Sequence, residues 1–485
     1  MRAFFFARFR QASPSLMPSM VSTNSFHRPG SSRQWAALSV FRDPGAQLIA
    51  LLGISLLLGG GGVGSGLQNL AVQLFALLLL AANLPAVIDF TRSAPIGLRI
   101  LTAVSIILPL VQLIPLPPYI WHALPGRELM VSSLKLVGAS EEWRPITVNM
   151  MRTLVAFLGT IPPFTALILS WRARSRYPDR ILLAVVVMAL ISMALAVVQL
   201  SSGNTIAMIQ SEAIGGQDLF GTFANRNSSG LFFVIALICL LGLRQYKIGF
   251  FAIPGVWILA TLVLTTGVVL SHSRSSLALL IVPASIGAVN FLRNARGNQQ
   301  SLKTWSLALL LVVLIGFFGA LGIAASGNQR LERTLLRFDD LHDARASIWE
   351  DSLDATRRYW PVGSGIGTFD EVFQVNESVE TLDPLRAGRA HNDYLEVILE
   401  SGAIGGFIVL SWLFWIARRS ILVLFCRKWG APLSAVLGLA VVAMQSVLDY
   451  PLRNLALMCI AAMFVGLLAA HNTSSDGSNA GAPRG

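Results

Sequence analysis

Residues 181–200 read ILLAVVVMALISMALAVVQL, twenty positions without a charged side chain. A helix of that length rises about 30 Å, the thickness of the hydrocarbon layer of a bilayer. Inside that layer only a helix or a closed barrel satisfies its own backbone. The stretch is framed on one side by Arg172, Arg174, Arg176 and Arg180 and on the other by the polar run Ser201-Ser202-Gly203-Asn204. An apolar helix with a basic edge reads as a membrane span with its start on the cytoplasmic side.

The same pattern recurs along the chain. Apolar segments at 46–63, 67–88, 98–116, 153–171, 230–243, 250–270, 276–292, 305–325, 402–417, 432–448 and 455–470 join 181–200 to make twelve expected spans. Of the 485 residues, 54% are hydrophobic and 13% charged, against about 25% charged in soluble domains. The expected fold is therefore an all-α polytopic membrane protein. With the N-terminal tail inside, the cytoplasmic loops and tails hold 22 Lys/Arg against 4 Asp/Glu, while the outside segments hold 15 and 21. This bias satisfies the positive-inside rule. The net charge of +12 follows from these loop residues and does not call for a nucleic-acid partner. Cys239, Cys426 and Cys459 fall in apolar runs or a basic loop, so neither a disulfide framework nor a zinc site is expected.

The expected organisation is a cytoplasmic tail over 1–44, nine spans over 45–325, an outside domain over 326–401, three spans over 402–470 and a second cytoplasmic tail over 471–485. Three outside segments are long: 117–152, 201–229 and 326–401. The last is charged, carries Trp349 and Trp360, and reads as a helical periplasmic insertion.

The candidate chemistry lies in these segments. His391-Asn392-Asp393-Tyr394-Leu395-Glu396 runs on to Glu400-Ser401-Gly402 with Leu395, Ile398, Leu399 and Gly402 at helical spacing. That places His391 near a helix start, as a general base or as a plain polar residue at the interface. Arg274 sits in the short turn Ser271–Ser276, Arg226 in Gly221–Asn227, and Arg345 one helical turn before Trp349. Guanidinium groups there suit phosphate oxygens; the alternative for each is an arginine reaching to the interface. Asp449 and Arg453, in the turn between the last two spans, are either site residues or a local ion pair closing a hairpin.

Taken in order, these motifs resemble the O-antigen ligase and Wzy-type polymerase superfamily over roughly residues 45–470. They are Pro115-Leu116-Pro117-Pro118 with Trp121, Trp143-Arg144-Pro145-Ile146-Thr147, Gly221-Thr222-Phe223-Ala224-Asn225-Arg226-Asn227 and Ser273-Arg274-Ser275. They continue with Pro361–Phe369 and the His391–Gly406 stretch. The resemblance implies a GT-C-like, metal-independent glycosyltransferase of the bacterial inner membrane that uses no cofactor. Its donor would be a glycan on undecaprenyl diphosphate. Its acceptor would be lipid A–core for a ligase or a second lipid-linked repeat for a polymerase. Matched position by position, His391 would be the catalytic histidine, with Arg274, Arg345 and Arg226 binding the diphosphate. Asn392, Glu400, Asp449 and Arg453 would support them.

A lipid-linked glycan transporter is the competing class. It would carry polar groups at mid-membrane depth, whereas here the ionisable candidates gather at one face, and no internal repeat is evident.

Overall fold

A computed structural model describes residues 43–210, 218–246, 248–295, 344–381, 387–426 and 430–469. These residues are mostly helical. The first helices are α1 (Pro44–Leu58), α2 (Gly66–Ala82), α3 (Leu84–Ser93) and α4 (Ile96–Gln112). After strand β1 (Pro115–Leu116) come α5 (Pro118–Trp121) and α6 (Glu128–Leu136), and after strand β2 (Arg144–Pro145) come α7 (Met150–Leu158) and α8 (Ile161–Ala173). The chain continues with α9 (Pro178–Ser201), α10 (Arg226–Leu243), α11 (Pro254–Leu270), α12 (Arg274–Leu279) and α13 (Ile281–Ala295). It closes with α14 (Ala344–Tyr359), α15 (Phe369–Asn376), α16 (Asp393–Phe425), α17 (Ala431–Leu448) and α18 (Leu455–Ala469).

Eleven of the twelve expected segments coincide with apolar helices; the twelfth, 305–325, lies outside the described residues. Among the described residues, five helical stretches are long and apolar enough to cross a membrane: Met150–Ala173, α9, α10, α16 and α17. A sixth is counted if α2 and α3, bent by 76°, form one span. The bend follows from Pro85, which fits only the first turn of a helix and so starts a new one after Asn83. Shorter apolar helices complete the set: α1, α4, α11, Arg274–Gly287 and α18.

The interior of these helices is largely apolar, but their outer faces are apolar too, unlike those of a soluble protein. Leu78, Ile191, Leu259, Phe407 and Phe414 face outward, while Ser55, Thr165, Ser192, Gln199, Thr261 and Ser434 are buried between helices. In lipid the hydrophobic effect does not drive helices together, so close packing and interhelical hydrogen bonds do. Ser170 Oγ donates to Met463 O at 2.7 Å. Beside it a β-carbon on Gly466 would stand 2.6 Å from Ser170 Oγ; glycine lets α18 and α8 approach to that bond. α10 is buried along nearly its whole length and stands at the centre of the bundle. The chain is a multi-pass helical membrane protein.

Polar segments assemble at one place outside this bundle. β1 pairs antiparallel with β2, with Leu116 opposite Arg144. Val148 N–H donates to Ser364 O at 2.8 Å, and Arg152 Nε donates to Glu371 Oε1 at 2.7 Å. These contacts tie residues 115–152 to α14, α15 and the loop between them. A small separate core of Ala355, Tyr359, Phe369, Val372, Phe373, Ala390 and Leu399 lies beneath.

Candidate functional site

The site begins at a break in α16. Gly402 has φ 57° and ψ −145°, so the helix stops its regular path there and resumes. Glycine reaches φ > 0 without steric cost. The backbone groups released by the break are taken up by the loop 361–369. Ala403 N–H donates to Pro361 O at 2.9 Å, Gly365 N–H to Glu400 O at 2.8 Å, and Ser364 N–H to Leu399 O at 3.1 Å. Gln112 Nε2 adds a second donor to Glu400 O at 3.0 Å, and Gln112 Oε1 accepts from Ile366 N–H at 2.9 Å. The turn before the break is thus pinned from two sides. Between the start of α16 and this break stand Asp393, Glu396 and Glu400, all buried.

Buried carboxylates are costly unless they meet cations and donors. Here Arg453 enters among them. It donates from Nη2 to Glu400 Oε2 at 2.8 Å and lies 3.3 Å from Glu396 and 3.9 Å from Asp393 through Nε. Burial works against the Arg453 charge, but Glu396, Glu400 and Asp393 outweigh it and hold its pKa above the usual value. Glu396 also accepts from Arg389 Nη1 at 2.8 Å and from Ala390 N–H at 3.2 Å. Asp393 Oδ2 accepts from Leu452 N–H at 3.0 Å and Ser446 Oγ at 2.9 Å. The cluster fastens two pieces of backbone to one another, residues 389–390 and residues 452–453.

Those two pieces carry a histidine and an aspartate. His391 Nδ1 lies 3.1 Å from Asp449 Oδ1. Asp449 is buried, and its Oδ2 accepts from Asn225 Nδ2 at 3.2 Å. Tyr450 packs edge-on against the imidazole with ring centroids 5.0 Å apart. Burial, together with the Asp449 charge, raises the Tyr450 phenol above its ordinary pKa, so it stays protonated at neutral pH. Trp349 Nε1 donates to Ala390 O at 2.9 Å and braces the residue before His391.

His391 lies at the helix start, just before the cap: Asn392 Oδ1 accepts from Tyr394 and Leu395 N–H, and His391 precedes it with φ 50°. Its ring faces the Asp449 carboxylate. One expectation changes. The local ion pair between Asp449 and Arg453 is absent. Asp449 ends α17 in extended backbone and Pro451–Arg453 makes a short 3-10 turn, so the two side chains do not stack four apart on one helical face. Arg453 joins the cluster, and Asp449 takes His391 and Asn225.

The arginines surround the same end of the bundle. Arg226 is the first residue of α10, adjacent to Asn225, and pairs with Asp218 at 3.1 Å. Asp218 also meets His272 Nδ1 at 3.3 Å. Burial alone would raise the Asp218 carboxyl; the His272 hydrogen bond and the Arg226 charge bring it below the ordinary range. Arg274 starts α12, exposed, behind the cap Ser273. Its neighbour Ser275 Oγ accepts from Gln445 Nε2 at 2.9 Å, one helical turn before Asp449. Arg345 is the second residue of α14, one turn ahead of Trp349.

The contacts therefore bring His391, Asn392, Glu400, Asp449 and Arg453 into one connected group. Arg226 and Arg274 stand on elements hydrogen-bonded to it, and Arg345 on the helix that braces it. Sequence reasoning missed Glu396, Arg389, Asp393, Asn225, Asp218 and His272. The clue for Glu396 was its place one turn before Glu400; for Asn225, its place in the Asn-Arg-Asn run.

Residues 258–410 match the sequence profile of the O-antigen ligase family. The matched region holds Arg274, Arg345, His391, Asn392 and Glu400; Arg226, Asp449 and Arg453 lie beyond its ends. Comparison with curated proteins returns no match. Members of the family are membrane glycosyltransferases and ligases. The match spans residues 258–410, about a third of the chain, and over that region the chain is similar to the O-antigen ligase family, which supports its likeness to the O-antigen ligase and Wzy-type polymerase superfamily.

Proposed function

We propose that the protein transfers a glycan from undecaprenyl diphosphate to an acceptor hydroxyl at the periplasmic face of the bacterial inner membrane, as an O-antigen ligase acting on lipid A–core. The observation that carries the reading is the 3.1 Å contact between His391 Nδ1 and Asp449 Oδ1. With the proton on Nδ1 and donated to the Asp449 carboxylate, Nε2 of a neutral imidazole carries the lone pair. An acceptor hydroxyl gives its proton to Nε2 as its oxygen forms a bond to the anomeric carbon. The bond from that carbon to the diphosphate oxygen breaks on the opposite side, which inverts the centre. Asp449 holds the ring orientation and meets the imidazolium that forms.

The leaving diphosphate gains charge in this step. Arg274, Arg345 and Arg226 are the guanidinium groups assigned to stabilise it. Arg226 reaches the donor only by sharing its charge with Asp218. Diphosphate is a stable anion, so the chemistry asks for no strong acid at the leaving group. Arg453 and Glu400 hold the turn from which His391 projects, and Asn392 caps it.

A polymerase of lipid-linked repeats differs only in its acceptor. Deleting the gene in its host and separating extracted lipopolysaccharide on a gel distinguishes the two. Bare core with finished polymer left on undecaprenyl diphosphate is the result expected of a ligase. Core bearing a single repeat makes the protein a polymerase, and an unchanged ladder overturns both.

A further inference from the structure

The segment between α4 and α7 has one side accounted for. Trp121 is buried and its indole donates to Glu142 O at 3.0 Å. Arg127 is buried too; it donates to Ile146 O and, at 3.2 Å, to Gly363 O in the loop that seats Gly402. Burial lowers the Arg127 pKa to about 10, so the guanidinium keeps its charge at neutral pH. With the β1–β2 pairing, these contacts make the segment a folded piece.

Its other side is uncovered and carries large apolar side chains among polar ones. Leu136 is 89% exposed, Val137 73%, Tyr119 77% and Trp143 66%. No residue of α6 is buried, and Leu129, Ser133 and Leu136 fall on one face at i, i+4 and i+7. After the less exposed residues 144–149, exposed apolar side chains return at Met150 and Met151, which open the candidate span Met150–Ala173.

We propose that this segment lies in the membrane interface as an amphipathic platform, with Leu129, Leu136, Val137 and Trp143 seated at the boundary of headgroups and acyl chains. Both of its ends run into apolar helices of the bundle, so the segment starts and finishes near bilayer level. Exposed apolar side chains on a segment that joins two apolar helices meet lipid, and indole rings concentrate at that depth. The charged side chains argue for insertion over electrostatic attraction. Glu128, Glu141 and Glu142 outnumber Lys135 and Arg144 among the residues that are not buried, which gives anionic lipid nothing to hold. Through Arg127 and Gly363 the platform carries the loop that pins the break at Gly402, so the height of that loop above the bilayer is set by lipid contact.

The test uses the full chain reconstituted in phosphatidylcholine vesicles, with Cys426→Ser removing the exposed thiol; Cys239 and Cys459 are buried. Nitroxide labels on Leu136→Cys and Trp143→Cys report access to oxygen against access to a water-soluble nickel chelate. The reference is Arg357→Cys, whose native side chain is 77% exposed. The expected ratio of oxygen to chelate access is several-fold higher at 136 and 143 than at 357, and unchanged when anionic lipid is added. A ratio equal to that at 357 overturns the platform. So does a ratio that rises only with anionic lipid, or spin–spin broadening at 136 that shows the face meeting a second copy. Val137→Cys replaces either position if its variant does not fold.

Discussion

Two histidine–aspartate pairs stand at the same end of this molecule. His391 and His272 both sit in left-handed backbone, φ 50° and 53°, and both turn Nδ1 to a carboxylate, at 3.1 Å and 3.3 Å. A non-glycine residue with φ > 0 costs on the order of 1 kcal/mol, so each is held there by its surroundings. Asn225 and Arg226 join the pairs, since Asn225 donates to Asp449 and Arg226 to Asp218. The third partner makes the difference. Asp449 is buried, and among the described residues it has no Arg or Lys ion-pair partner. Asp218 is more exposed and gives both its oxygens to Arg226. A carboxylate answered only by neutral donors keeps its full effect on an imidazole, whereas one already matched by a guanidinium acts chiefly as a fastening. On the function proposed above, the first pair works as base and orienter, and the second holds the 271–276 turn beside Arg226.

That contrast breaks first at His391. His391→Ala is expected to lower kcat by about 10²–10⁴, measured with a lipid-linked donor in vesicles, while the thermal midpoint stays within error of the parent. Turnover at the parent rate removes the base assignment. Next comes the support beneath the pair. Arg453→Met leaves Glu396, Glu400 and Asp393 without their shared cation, and loss of one partner from such a buried group costs about 3–5 kcal/mol. A clear fall in the thermal midpoint of the solubilised protein is expected, and an unchanged midpoint shows that the cluster does not hold the fold. Asp449→Asn should reduce kcat on the order of 10² with little change in donor KM; a rise in KM alone would move Asp449 from orienting the base to binding. The smallest effect is at the second pair. His272→Gln is expected to alter kcat/KM by less than about tenfold, or about 1.4 kcal/mol. A loss as deep as that of His391→Ala would make the two pairs equals and end the distinction.

The helices were legible because hydropathy alone marks a segment that must satisfy its backbone in lipid. Their interruptions were less so. The segment 67–88 read as one span, yet Asn83 and Pro85 divide it, and the helical spacing through Leu395, Ile398, Leu399 and Gly402 hid the break at Gly402. Apolarity carries no information on a local turn of the backbone. In the site, His391 and the arginines stood out as scarce residue types in polar turns. Their partners did not, because a carboxylate 58 positions away is chosen by tertiary packing. Asp449 and Arg453 show the limit most plainly: a separation of four invites a local pair, and an extended residue followed by a 3-10 turn sends each to a different neighbour.

A β-carbon at position 402 would lie 1.9 Å from Pro361 O, and one at 363 would lie 2.6 Å from Glu400 O. Neither glycine can therefore acquire a side chain while the facing segment stays as it is. Across descendants of this gene, residues 361–363 and 400–402 must change together or remain, so these two distant stretches are inherited as one unit.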